Sequence, residues 1–505
     1  MHSRREFVGA AIVSLAPKTD RPIAGSFVYE SQNIGHELRH RACLRTPIQK
    51  QKATAVIVGG GVAGLSAAWR LSKRGFSDFV VLELERQPGG NSRWGENEIS
   101  AYPWAAHYLP LPDAKATLVR ELCEDLGLLK DGHWDELHLC HSPQERLFLH
   151  GRWQEGFLPE TGTSAKDHEQ YRRFEVEIER LRATGEFTIP MERGARPSTL
   201  DRASMRDWMR ERGFDSAYLN WYADYCCRDD YGASAAATSA WAGLHYFASR
   251  HPEDKGPLTW PDGNGWIVKR LLERVGRFVR ADAMAYCIRR DGRRFRIVTE
   301  TVEYIADFVI FAAPTFLAPY IVEGAPELKS FEYSPWLTAN LTLDRRPAER
   351  GSEPSWDNVI YGSPSLGYVV ATHQSLRTRI DRTVWTFYWA LTDGGALERR
   401  RFLLGTDWVY WKDAILNDLA RAHPDIRSCV SRIDILRLGH AMIRPTVGFL
   451  SSEERRRMAT PAGNLVYANS DLSGLSLFEE AQYRGVKAAE YVLTRAGGGH
   501  LRSAS

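Results

Sequence analysis

At 505 residues the chain exceeds what one compact core accommodates, and two or three structural units, not necessarily continuous in sequence, are expected. A 43% hydrophobic share with 16 Trp, 20 Tyr and 20 Phe argues against a disordered or fibrous protein and suits a pocket for a flat ligand. The net charge of +3, from 66 basic and 63 acidic residues interspersed, provides no field that would select nucleic acid or a membrane surface, so partners are to be sought in local sites.

The chain begins with Ser3 to Ala16, SRREFVGAAIVSLA, in which Arg4 and Arg5 precede a short apolar run. This stretch resembles a twin-arginine export signal, although no clear A-x-A cleavage site follows and an ordinary amphipathic terminus is the competing reading. A periplasmic or exported protein is the expectation and a cytoplasmic one the alternative. No run of about 18 apolar residues occurs, so no stable membrane anchor is expected. Seven cysteines (Cys43, Cys123, Cys140, Cys226, Cys227, Cys287 and Cys429) are odd in number, irregularly spaced and without a C-x-x-C, which speaks against a disulfide scaffold or a metal site. The vicinal Cys226 and Cys227 read as two small buried residues on a helix rather than a redox pair.

Ala55 to Val58 is a β-branched apolar run suited to a central parallel strand buried on both faces. It leads at once into Gly59-x-Gly61-x-x-Gly64 and a helical stretch from Ala63 to Lys73. Gly59 permits the tight turn. Gly61, with Val62 and Ala63 at the helix start, lets backbone approach a pyrophosphate, and Gly64 allows close helix–strand packing. A second strand, Phe79 to Leu82, ends at Glu83 and Leu84, with Glu83 at the spacing of a carboxylate that accepts a ribose hydroxyl. An acid there disfavours a 2′-phosphate but does not separate FAD from NAD.

After Glu83 come Arg86, Gly89, Gly90 and Arg93. A glycine pair lets a loop pass close against a phosphate and a guanidinium can neutralise it. The order of carboxylate, charged segment, glycine pair and arginine resembles the flavin-containing amine oxidase superfamily, which includes protoporphyrinogen oxidase-like and phytoene desaturase-like members. The resemblance implies FAD as cofactor. It implies an α/β fold with a Rossmann-type FAD-binding domain (a parallel sheet, discontinuous in sequence), a mixed-sheet substrate domain and a helical subdomain. In AYPWAAHYL, Ala105 and Ala106 take the place of the family's glycine–alanine pair along the flavin ring, and Trp104 and His107 become candidate ring neighbours, with core packing the competing reading.

Helical periodicity follows over Asp113 to Leu129 and Asp167 to Ala183, and Ser204 reads as the cap of a helix after Asp201. Within Asp224 to Tyr246, CCRDDYG reads as a turn and SAWAGLHYFA as a small-residue helix. The resemblance places the backbone at Ala285 near adenine and makes ADFVIFAAP, from Ala306, the strand that closes the nucleotide domain. From Leu337 to about Leu450 short alternating runs predict a mixed or antiparallel sheet. On its first strand the position where many amine oxidases carry a lysine matches Asn340, so oxygen or another electron acceptor remains open. Trp385, Tyr388, Trp389 and Tyr483 could sandwich an amine or simply fill the core.

NLVYANSDLSG followed by FEEAQYRGVKAAEYV resembles the family's last flavin segment, with Asp471 reaching ribityl or pyrophosphate oxygens and Glu480–Ala481 opening a helix toward the flavin. Glu480 and Arg484 depart from the family's usual glycine and serine. The Gly497 to Gly499 tail reads as loose. Residues 1–50 are then signal and extension, 51–112, 255–320 and 446–497 the FAD-binding domain, 113–254 the helical subdomain, 321–445 the substrate sheet and 498–505 a tail. The function implied is oxidation of a carbon–nitrogen bond of a small amine by hydride transfer to flavin N5. A desaturase or isomerase of an apolar substrate, or a flavin-binding protein without turnover, is the alternative; oligomeric state is not legible.

Overall fold

In the computed structural model, which describes residues 22–29, 32–41, 47–194, 199–250, 256–377 and 379–500, the apolar run Ala55 to Val58 is the inner end of the strand Gln49–Val58. Phe79–Leu82 and Val302–Phe311 flank it, both parallel, and all four of its side chains are buried. A continuous apolar run is stable in that setting because both faces of the strand are covered. The sheet has seven strands, in the order Val279–Arg280, Phe79–Leu82, Gln49–Val58, Val302–Phe311, Arg294–Val298 and Cys287–Asp291, with Leu465–Tyr467 parallel to the end of Val302–Phe311. It is parallel from the Val279–Arg280 edge through its centre, whereas Cys287–Asp291, Arg294–Val298 and Val302–Phe311 form an antiparallel edge joined by short turns. Helices Val62–Lys73 and Phe478–His500 pack together over one face.

A second, eight-stranded sheet runs Ala24–Val28, Val430–Ile443, Tyr333–Leu343, Thr383–Ala390, Gly367–Val370, Asp357–Ile360, Glu145–Leu149, Arg152–Glu155. Its centre is antiparallel, and its two parallel pairings involve strands from outside the stretch in which sequence alternation placed the sheet. Ala24–Val28 pairs with Val430–Ile443, and Glu145–Leu149 pairs with Asp357–Ile360. Every residue of Tyr333–Leu343 is buried, which is why that strand shows no clean alternation. Helices Ala396–Gly405 and Trp408–Leu419 cover one face.

Helices Ala165–Ala183, Met205–Glu211, Ala217–Tyr231 and Ala240–Ala248 form the third layer. Ser204 caps its helix as expected, accepting from the Asp207 N–H, and Ser164 with Asp167 forms a full capping box. Three expectations are corrected. The helix expected over Asp113 to Leu129 is only Thr117–Asp125, because the Asp113 carboxylate takes the Lys115 N–H at 2.7 Å and holds the chain in a turn. CCRDDYG is the end of helix Ala217–Tyr231; only Gly232, left-handed at φ 58°, breaks it. The stretch Gly497 to Gly499 continues helix Phe478–His500, glycine weakening a helix without the steric block of proline.

Arg4, Arg5 and Cys43 lie outside the described residues. Cys123, Cys140, Cys226, Cys227 and Cys429 are free and buried, the vicinal pair lying within a helix, whereas Cys287 is disulfide-bonded. Among the described residues no helix is long and apolar enough to cross a membrane, and no group of three His, Cys, Asp or Glu side chains could hold a metal ion.

Candidate cofactor and active site

A cavity of about 1380 Å³ opens where the seven-stranded sheet ends, and it is lined from both sheets. Its floor is the glycine turn. A Cβ on Gly59, at φ 107°, would meet Ala313 N at 2.6 Å, and one on Gly64 would meet Gly59 O at 1.9 Å, so these two glycines serve the protein's own packing. Gly61 differs: a Cβ there would come no nearer than 3.8 Å to anything, the Gly90 Cα. Its lack of a side chain leaves room beside the cavity rather than relieving a clash. Gly61 and Gly89 form an isolated parallel bridge, and the Gly89 N–H donates to Gly60 O at 2.9 Å, so the two glycine loops are joined and both face the cavity. No side chain caps helix Val62–Lys73, and Val62 and Ala63 line the cavity at its start. Two backbone loops and an uncapped helix start converging on one space fit a diphosphate.

Glu83 is buried at 8% exposure, its Oε2 accepting from Gly60 N–H at 2.6 Å and its Oε1 from Glu85 N–H at 2.8 Å. Burial raises its pKa, opposed by those two donors and by Arg93. The Arg93 Nε donates to Gly90 O at 3.0 Å and its guanidinium lies 4.6 Å from the centre of the Tyr29 ring. Its Nη1 is 3.3 Å from Glu85 Oε1 without hydrogen-bond geometry, leaving a buried donor beside the cavity. Leu84 and Ala285 line the same cavity, as does Ala106.

At the other end Asp471 and Ala481 also line it. Asp471 Oδ2 accepts from Thr315 N–H at 2.8 Å and from the Tyr333 hydroxyl at 2.7 Å, so this oxygen serves the fold and only the rest of the carboxylate is left for a ligand. Gly64, Ala105 and Glu480 are not among the lining residues. Gly64 packs against Gly59, and Ala105 presents its carbonyl to the Tyr388 hydroxyl at 2.9 Å. The Glu480 carboxylate turns away from the cavity, accepting from Met191 N–H at 2.5 Å and Ser473 Oγ at 2.5 Å, while Arg484 Nε donates to the same Ser473 Oγ. Both departures from the family pattern thus become one buried network that leaves the cavity open.

None of the three candidate catalytic side chains reaches the cavity. Trp104 sits edge-on between Tyr29 and Tyr102 in an aromatic cluster. His107 stacks toward Tyr388, 4.6 Å between centroids, and burial pushes its pKa down to about 4, so it is neutral. Asn340 is engaged inside the sheet: Nδ2 donates to Pro103 O at 3.1 Å and Oδ1 accepts from Thr386 Oγ1 at 2.7 Å. It pins the Pro103–Ala106 turn to the sheet and is a positioning residue. Trp385 and Tyr388 are buried, Trp385 stacked on Tyr368. Sequence reasoning missed His440, which stacks on Phe316 at 4.0 Å, together with Tyr333, Ala441 and the N-terminal helix Gln32–Arg41, all at the cavity. A single histidine, His440, within the otherwise apolar run Leu438 to Met442 was the available signal.

A model of the NAD(P)-binding Rossmann-like domain family matches residues 57–126. The Baeyer-Villiger monooxygenase peniC of Penicillium patulum is 31% identical over 136 residues, 27% of this chain and 20% of that protein. An L-amino acid dehydrogenase of Synechocystis sp. is 25% identical over 284 residues, 54% of this chain and 58% of that protein. The chain therefore matches less than two thirds of either relative's length. Putrescine oxidase, solved with putrescine bound, superposes with a TM-score of 0.67 at 16% identity over 88% of this chain and 100% of that one. Cyclohexylamine oxidase from Brevibacterium oxydans IH-35A gives 0.65 at 14% identity over 88% and 100%. At such identities solved structures establish the fold alone, and this chain shares the fold of these two amine oxidases.

Proposed function

We propose that the protein is an FAD-dependent oxidoreductase that oxidises a carbon–nitrogen bond of a small amine. The observation that carries the reading is the joined pair of glycine loops, Gly59 to Gly61 and Gly89 to Gly90, facing an open cavity with the unspent donor of Arg93 beside it. FAD, when bound, supplies the hydride acceptor. The chain's part is to hold and orient. Gly61, Gly89 and the start of helix Val62–Lys73 receive the diphosphate, and Glu83 faces the ribose. Ala106, Ala441 and Ala481 contribute methyl groups and backbone to the cavity wall. The substrate carbon loses its hydrogen with two electrons, the nitrogen lone pair forms C=N as a proton leaves, and water hydrolyses the imine. Asn340 stands on the strand where a lysine would help oxygen react, and both its amide nitrogen and its oxygen are engaged inside the sheet, which favours an acceptor other than oxygen.

The test is anaerobic: purified holoprotein is mixed with a panel of amines and the flavin absorbance followed, then air is admitted and peroxide assayed. Bleaching by an amine is the expected result; a flavin that no amine bleaches overturns the reading, and bleaching without peroxide identifies another acceptor. Export is part of the proposal. Arg4 and Arg5 support it, as does the disulfide at Cys287, a bond favoured in oxidising compartments. Replacement of both arginines by lysine should retain the protein in the cytoplasm on fractionation.

A further inference from the structure

The residues ahead of the first glycine loop, set aside as an extension on sequence grounds, form one wall of the cofactor cavity. Ala24–Val28 lies at the outer edge of the eight-stranded sheet, paired with Val430–Ile443 from Ala24 opposite Arg432 to Val28 opposite Leu436. A few residues further along the same partner strand, His440 and Ala441 reach the cavity. There the leading strand leaves the sheet. Tyr29 takes a left-handed φ of 52°, a conformation that costs a bulky side chain energy and persists only where its surroundings hold it.

Those surroundings belong to the second glycine loop. The Tyr29 hydroxyl donates to Gln87 Oε1 at 2.8 Å, and Gln87 Nε2 donates to Trp94 O at 3.2 Å. The Tyr29 ring faces the Arg93 guanidinium at 4.6 Å and meets Trp104 edge-on at 5.6 Å. Tyr29 therefore grips the loop that carries Gly89 and Gly90 at both of its ends, at Gln87 and at Arg93, without itself lining the cavity.

The helix Gln32–Arg41 makes the second attachment. Gly35, His36 and Leu38 line the cavity, and Leu38, only 4% exposed, joins the buried cluster of Val58, Leu82 and Ala285, beside Glu83. The strand is thus anchored on the eight-stranded sheet and the helix on the seven-stranded one, and the cavity lies between those sheets. The strand is also the weaker attachment. It is five residues long, with Ala24 and Ser26 exposed, and such an edge element opens at a lower free energy than the core it covers.

We propose that this extension is a strap that retains FAD: its docking across the two sheets sets the rate at which the cofactor dissociates, and bound FAD in turn keeps it docked. The inference rests on FAD occupying the cavity and is independent of the substrate oxidised. Gly25 allows a remote test. At its φ of 142° a Cβ would sit 1.8 Å from Ile433 O, so Gly25→Ala lifts the strand while touching nothing in the cavity. Full-length parent, Gly25→Ala and Tyr29→Leu are compared by amide hydrogen exchange over Ala24–Val28 and Gln32–Arg41, each with and without FAD. Release of FAD on dilution is followed by the fluorescence of the freed flavin. Release about tenfold faster than in the parent is expected in both variants, the scale of losing one contact such as that of Tyr29 with Arg93. The amides of Ala24–Val28 should exchange faster in both variants, and faster in the flavin-free parent than in the loaded one. Release at the parent rate in Gly25→Ala, or parent exchange at Ala24–Val28 that FAD does not slow, overturns the inference and leaves FAD binding standing. Should Gly25→Ala not fold, Tyr29→Leu decides by the same readouts. A folded parent that takes up no flavin removes the cofactor reading, and this inference with it.

Discussion

Tyr333 and Asp471 join the two sheets: the hydroxyl of Tyr333, at the start of the buried strand of one sheet, donates at 2.7 Å to Asp471 beyond the end strand of the other. Tyr333→Phe leaves the Asp471 oxygen with Thr315 N–H alone. We expect a loss of about 1–2 kcal/mol, read as a lower thermal midpoint, because a buried acceptor loses one of two donors. Weaker retention of flavin on gel filtration should accompany it, since both residues line the cavity.

The two glycines of the first turn make opposite demands. Gly64→Ala sets a Cβ at 1.9 Å from Gly59 O and should lower stability by about 3 kcal/mol or prevent folding. Gly61→Ala meets only Gly90 Cα at 3.8 Å, so the flavin-free protein should unfold within about 0.5 kcal/mol of the parent. Gly61→Ala should nevertheless be isolated colourless, and a yellow, stable variant would remove Gly61 from the diphosphate site.

Asn340→Ala strips Pro103 O of a donor and Thr386 Oγ1 of an acceptor inside the sheet. Unfolding in urea should show a loss of about 1–3 kcal/mol. Because Asn340 positions the Pro103–Ala106 turn, the flavin spectrum should shift as well, which a purely structural role would not produce.

Stability should respond to pH in two opposed windows. Burial depresses His107 and His245 to about 4, so their contribution is present above the ordinary histidine value of 6.5 and lost as pH falls toward 4, about 3 kcal/mol each. Asp229 is raised from 3.8 to about 7 by burial and by Asp230, so its contribution is present below 3.8 and lost as pH rises through 7. Asp229→Asn should therefore exceed the parent in stability at pH 8 by on the order of 2–4 kcal/mol and converge with it near pH 4, on thermal scans in matched buffers.

What the sequence conveyed follows from how local each signal is. The turn at Gly59 to Gly64, Glu83 and the Gly89–Gly90 pair are short-range requirements of backbone geometry, and they occupy their expected places. Trp104 and His107 flank the Ala105–Ala106 pair that the family resemblance sets along the flavin ring. Alternate side chains of an extended segment face opposite ways, so Ala106 reaches the cavity while His107 turns toward Tyr388 and Trp356. Glu480 departs from the family's glycine at a helix start; Ser473, one of its partners, is a near neighbour in the chain, but the other, Met191, lies far away in sequence and no local pattern announces it. The pairing of Glu145 with Asp357 was illegible for the same reason, being created by strand register across the molecule.

The pairing of Ala24 with Arg432 has a consequence for how the protein is made. The strand Ala24–Val28 waits for a partner translated about 400 residues later, and the nucleotide-binding sheet waits longer still for Leu465–Tyr467 and its covering helix Phe478–His500. Such distant pairings fold slowly, because a large loop must close before any contact rewards it. Nascent chains arrested before the 430s should thus be protease-sensitive throughout, with resistance arising abruptly once Leu465–Tyr467 and helix Phe478–His500 emerge.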